Sequence, residues 1–134
     1  PLNAFQTIEA ERACLLYGEA FLELYSDKNE MLTAMANGDR AAFKYIDFGE
    51  GEGTMVEIRI APGASEGSIS LNIGKSWHRQ IADIKVPART GEEKWITVTA
   101  NLEEVAGVQE LWMTFVGKDG EMYSIDNLVF LRNQ

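Results

Sequence analysis

From residue 40 onward, apolar and polar positions alternate with period two. Val56, Ile58 and Ile60 share one face of Thr54–Ala61, with Glu57 and Arg59 on the other. Ile69, Leu71 and Ile73 alternate with Ser68, Ser70 and Asn72. Ala82, Ile84 and Val86 alternate with Asp83 and Lys85, and Ile96, Val98 and Ala100 with Thr97 and Thr99. Leu111, Met113 and Phe115 alternate with Trp112 and Thr114, and Met122–Leu131 reads as a closing strand. Turn residues separate these runs at Gly49–Gly53, Pro62-Gly63, Gly74–Ser76, Thr90-Gly91 and Lys118–Gly120. Short alternating strands with regular turns predict an all-β chain, a sandwich or a jelly roll. Residues 1–134 read as a single domain, with no linker, repeat or low-complexity run.

The first third reads differently. Ala10–Met35 is rich in Ala, Leu, Glu and Met, a helix-favouring composition. Gly18 interrupts it, and its apolar spacing fits neither period. Local reading leaves helix and strand open there.

Composition narrows the chemistry. Twenty-one acids against twelve bases give a net charge of -9 over 134 residues, which argues against a nucleic-acid partner. No stretch approaches a membrane span, so no membrane partner is expected. The apolar share of 46%, with three Trp, four Tyr and six Phe, suffices for a core. One cysteine, Cys14, excludes an internal disulfide and a cysteine-based zinc site, and reads as a small buried hydrophobe. One histidine, His78, excludes a multi-histidine metal cluster. No nucleophile motif accompanies it, so the chain does not read as an enzyme. GEGEG at Gly49–Gly53 lacks the lysine of a phosphate loop and carries two acids. No signal peptide is visible, and a start at Pro1 reads as a processed chain or a piece of a longer protein.

An ordered set of motifs resembles the family 6 carbohydrate-binding modules. Ile8-Glu9-Ala10-Glu11 resembles their IEAE, and Pro1–Phe5 the approach to it in multidomain glycoside hydrolases, family 43 among them. Asn37-Gly38-Asp39 looks like NGD, Ile46-Asp47-Phe48-Gly49 like VDFG, and Val86-Pro87 with Trp95–Thr99 like VP and WxTVT. Gly107–Gly117 and Asp126–Phe130 are similar to the two closing segments. The resemblance implies an antiparallel β-sandwich of jelly-roll type, which selects strands for residues 10–35. It also implies non-catalytic sugar binding, with a polysaccharide or oligosaccharide and the catalytic domain of the same polypeptide as partners. An extracellular or cell-surface location follows from the same resemblance.

The family's main cleft clamps a sugar between two aromatics and holds it with an asparagine. Those positions fall on Ala34, Glu92 and Ser124. The second family cleft, on the concave sheet face, would use Arg40 and Ser70. Both sets are replaced, so two readings follow: binding through a non-standard surface, or a structural module that has lost sugar binding. For the first, Trp77 and His78 at a hairpin tip are the leading candidates, with Glu92 and Ser124 marking the altered edge. The resemblance further implies a structural Ca²⁺ held by Glu9, Glu11 and Asp126. Period two would put Glu9 and Glu11 on one strand face. Their alternative is a solvated acidic strand paired with Arg12 or Arg132. Trp95, Trp112, Phe43, Tyr45, Phe48 and Tyr123 read as core or strand-face aromatics. Glu50, Glu52, Glu103 and Glu104 read as solvated loop charges.

Overall fold

A computed structural model describes residues 1–26, 29–33, 35–74 and 78–132. Twelve strands are formed among them. β1 (Leu2–Asn3) and β2 (Ile8–Glu9) precede a 3-10 turn at Ala10–Arg12. β3 (Leu15–Tyr17), β4 (Phe21–Leu24) and β5 (Glu30–Thr33) follow. The long strands are β6 (Arg40–Asp47), β7 (Gly53–Ala61), β8 (Gly67–Ile73), β9 (Arg79–Val86), β10 (Ile96–Asn101), β11 (Val108–Val116) and β12 (Ser124–Arg132).

The strands make two sheets. The first runs β1-β6-β11-β8-β9, with β3 also paired to β6. The second runs β10-β7-β12-β5-β4, with β2 also paired to β12. All pairs are antiparallel except β1 on β6.

The expected alternation sets the core. Val56, Ile58, Ile60, Ile69, Leu71, Ile84, Leu111 and Phe115 are fully buried between the sheets. Phe48 meets Phe130 edge-on at 4.9 Å between ring centroids. Tyr123 is buried, and its hydroxyl donates to the Ser68 carbonyl at 2.7 Å. Burial holds that phenol far above its usual range.

The described residues of 10–33 form a 3-10 turn and three short strands, as the family resemblance implies and against their helical composition. Edge strands take their shape from pairing to β6 and β5 rather than from intrinsic preference. Cys14 departs from expectation: it is exposed, with its thiol 3.4 Å from the Ala42 carbonyl. It precedes an edge strand, outside the two packed faces.

β9 and β10 are the outermost strands of their sheets and face each other. One backbone bond crosses this seam, from Glu103 N–H to the Ile81 carbonyl at 2.9 Å. Beside it lies a hollow of about 400 Å³ over Ile81, Ala82 and Leu102, rimmed by Gln80, Asp83, Asn101 and Glu103.

Candidate functional site: an aromatic platform and an arginine-filled acidic pocket

The outer face of the first sheet is read from its register. Thr114 opposes Arg40 on one side and Ser70 on the other, and those rows continue to Tyr17 and Asp83. One row along, Trp112 lies between Ala42 and Asn72, with Leu15 and Gln80 beyond. The small Ala42 leaves space beside the indole. Tyr17 fills it diagonally and stacks on Trp112, with ring centroids 5.6 Å apart and planes 25° from parallel.

The indole is fixed from below: its N–H faces the Gly74 carbonyl at 3.1 Å and the Glu110 carboxylate at 2.7 Å. Trp112 is only 9% exposed, whereas Tyr17 is 44% exposed. The Arg40 guanidinium lies 5.7 Å from the Tyr17 ring centroid. Ser70 donates to Asn72 Oδ1 at 2.7 Å, and Asn72 donates to the His78 carbonyl at 3.3 Å.

Asp39, in the Asn-Gly-Asp motif, positions this platform. Its carboxylate accepts the backbone N–H groups of Glu19 at 3.0 Å and Ala36 at 2.8 Å. Gly18, at φ +89°, makes the turn that directly follows Tyr17. A flat, partly exposed aromatic beside hydroxyl and amide groups can stack on a sugar ring and bond its hydroxyls.

The sequence-derived binding residues are spread over both ends of the sandwich. Trp77 and Ala34 lie outside the described residues. His78 is exposed beside Asn72, at the Gly74 end of the aromatic face. Glu92 and Ser124 lie at the other end. Glu92 is exposed in the loop before β10, near a hollow of about 170 Å³ lined by Pro62, Pro87, Thr90, Gly91 and Ile96. Ser124 begins β12, its hydroxyl 2.7 Å from that of Thr33. The structure therefore does not bring His78 together with Glu92 and Ser124. Tyr17 was missed by sequence reasoning. Its signal, an aromatic before a glycine, was masked by the helix-like composition around it.

The three acids also need correction. Glu9 and Glu11 do not share a strand face, because β2 stops at Glu9 and Glu11 sits in the 3-10 turn. Asp126 occupies a bulge in β12, between Ile125 opposite Ile60 and Asn127 opposite Arg59. It is 3% exposed. Its Oδ1 accepts the Tyr25 hydroxyl at 2.7 Å, and its Oδ2 accepts Arg59 Nη1 and, at 3.2 Å, the Asn127 amide.

Arg59 in turn lies over the Trp95 ring, 4.7 Å from its centroid, and Tyr25 packs on the same indole at 5.0 Å. Neither Arg12 nor Arg132 is the partner; Arg132 pairs with Glu52. Burial, then Asp126, then Glu11 push the Glu9 carboxyl above its usual range, while Arg59 pulls it down. Burial and the bond to Asp126 push the Tyr25 phenol up to about 12. A calcium ion takes six to eight oxygen ligands. Both Asp126 oxygens already receive donors, and no group of three His, Cys, Asp or Glu among the described residues is placed to hold a metal. These residues do not fit that ion.

The sequence model of "Carbohydrate binding module (family 6)" matches residues 16–132. The chain belongs to carbohydrate-binding module family 6. Such a module is non-catalytic, and carbohydrate binding is the role that the family supports for it.

The module is similar to CsCBM6-3 from Clostridium stercorarium, solved with cellobiose, at a TM-score of 0.87 and 24% identity over 98% of this chain and 97% of that one. It is also similar to part of a family 43 arabinoxylan arabinofuranohydrolase from Bacillus subtilis, solved with cellotetraose. There the TM-score is 0.88 and the identity 22%, over 98% of this chain and 28% of that one. An arabinoxylan arabinofuranohydrolase from Paenibacillus polymyxa is 24% identical over 106 residues, which are 78% of this chain and 16% of that protein. The module thus spans a small part of both hydrolases. A family 36 module solved with calcium and xylotriose shares the fold at a TM-score of 0.68 and 19% identity. Among the described residues, no helix is long and apolar enough to cross a membrane.

Proposed function

We propose that this module binds a polysaccharide or oligosaccharide across the outer face of its first sheet. The ligand would run from His78, over Trp112, to Tyr17. The observation that carries this reading is the Tyr17–Trp112 stack, an exposed ring held in place over a rigid one. Ser70, Asn72 and Thr114 supply the adjoining polar row.

The rim cleft is the weaker candidate. An exposed carboxylate at Glu92 and a hydroxyl of Ser124 beside Thr33 stand where a stacking ring and an amide would be needed. In the full-length protein the module would target an attached glycoside hydrolase to its substrate, raising the local substrate concentration. That role places it outside the cell or on its surface. The cellobiose, cellotetraose and arabinoxylan named for its relatives support β-linked plant-type glycans as the first to test.

Affinity electrophoresis and calorimetry on a glycan panel provide the test. Stacking contributes about 1–3 kcal/mol per ring by analogy with bases, so Tyr17→Ala should weaken binding roughly five- to hundredfold. Trp77→Ala should also weaken it. Glu92→Ala and Ser124→Ala should leave it unchanged. Binding that survives Tyr17→Ala but fails with Glu92→Ala would move the site to the rim.

The same replaced rim favours a second reading, a structural module packed on its catalytic partner. Retention of no glycan at all, together with a destabilised enzyme on module deletion, would support it. For a structural Ca²⁺ at Glu9, Glu11 and Asp126, the support is the fold's likeness to a calcium-bearing module. The partners Asp126 already has weigh against it.

A further inference from the structure

A nearly buried carboxylate needs a partner, because an uncompensated charge away from water is costly. Asp126 is such a carboxylate, placed by a bulge that adds one residue to β12 at this point. Its surroundings come from five parts of the chain. Glu9 ends β2, Tyr25 follows β4, Arg59 lies on β7, Trp95 precedes β10, and Asp126 lies on β12. An ion bound here would tie the N-terminal segment and the loop after β4 to the last strand. We propose that Arg59 takes the place of such an ion. Its guanidinium supplies the positive charge at Asp126, and the module closes on a side chain rather than on a metal.

The contacts around Arg59 suit an internal cation. It lies opposite the bulge in the β7–β12 register and bonds Asp126 directly. Its guanidinium lies over Trp95, a contact that a planar, weakly hydrated cation makes well. Tyr25 closes the pocket from above, with its ring on the same indole and its hydroxyl on the other oxygen of Asp126. The side chain of Arg59 is 38% exposed, so the cation keeps part of its hydration while it neutralises a buried partner. The guanidinium is thereby held between Asp126 and the face of Trp95, a planar contact that a spherical ion would not need.

The test uses the whole module and needs no glycan. Wild-type protein purified without chelator is analysed for calcium, then melted with and without EDTA and added calcium chloride. No stoichiometric calcium and an unchanged melting temperature are expected. Stoichiometric calcium, or a melt lowered by EDTA and restored by calcium, would overturn the proposal. Arg59→Gln is expected to lower the melting temperature by several degrees by orphaning Asp126. A variant that melts like wild type would also overturn it. Should Arg59→Gln fail to fold, the double variant Arg59→Gln/Asp126→Asn carries no orphaned charge and is expected to fold and to ignore EDTA. A double variant that is no more stable than Arg59→Gln would show that charge compensation is not the role of Arg59.

Discussion

Single residues carry two tests of how polar groups are held in this module. Tyr25 has a phenol pushed up to about 12, against an ordinary value near 10. Between those values the folded state binds the proton and the unfolded state releases it. Stability is therefore fully present below pH 10 and falls as pH rises through this window. Ultraviolet titration should show two late-ionising tyrosines, Tyr25 and the buried Tyr123, and Tyr25→Phe should abolish the earlier of the two late steps. Two late steps that persist in Tyr25→Phe would assign the shift elsewhere. Tyr123 is the second case. Its buried hydroxyl bonds the Ser68 carbonyl, so Tyr123→Phe should cost about 1 kcal/mol in denaturant unfolding. At this scale the sequence was partly legible. Tyr123 reads as a core aromatic because it adjoins the closing strand. Tyr25 and Arg59 could not be paired from sequence, because a bulge one residue long decides where Asp126 points.

Among the elements, β3 matters most for the proposed site. It is three residues long and holds to β6 at Leu15, Leu16 and Tyr17. Its end is set by Gly18, where an added Cβ would meet an Asp39 oxygen at 1.8 Å. Gly18→Ala should therefore destabilise the module by about 1–2 kcal/mol and weaken glycan binding together, since the same turn orients Tyr17. Loss of stability with unchanged binding would separate the turn from the site. The long strands from β7 onward were legible because each buries one face against the opposite sheet. The strands in residues 15–33 were not. Their side chains are mostly half-buried or exposed, so no alternation is imposed, and only the family resemblance selected strands there.

For the whole molecule, the net charge of -9 separates neutral glycans from polyanions. Binding through ring stacking and hydroxyl bonds releases few counterions, so affinity for a neutral glycan should change little between low and physiological salt. Calorimetry at two ionic strengths checks this. A steep fall would point to charged groups as the main contacts. The overall sandwich was legible from strand count and turn spacing, but the location of the platform was not. It depends on which strands become neighbours, and β3, β6 and β11 are far apart in sequence.

The seam between β9 and β10 has a consequence for how the module behaves in a crowd. A sheet normally ends in a strand whose free backbone groups can recruit a strand from another chain. Here two such ends are turned toward each other, crossed by the Glu103–Ile81 bond and flanked by Asp83, Lys85 and Arg79. An incoming strand would have to displace that bond and pass charges of both signs. At this seam each sheet thus uses the other as its guard against an incoming strand.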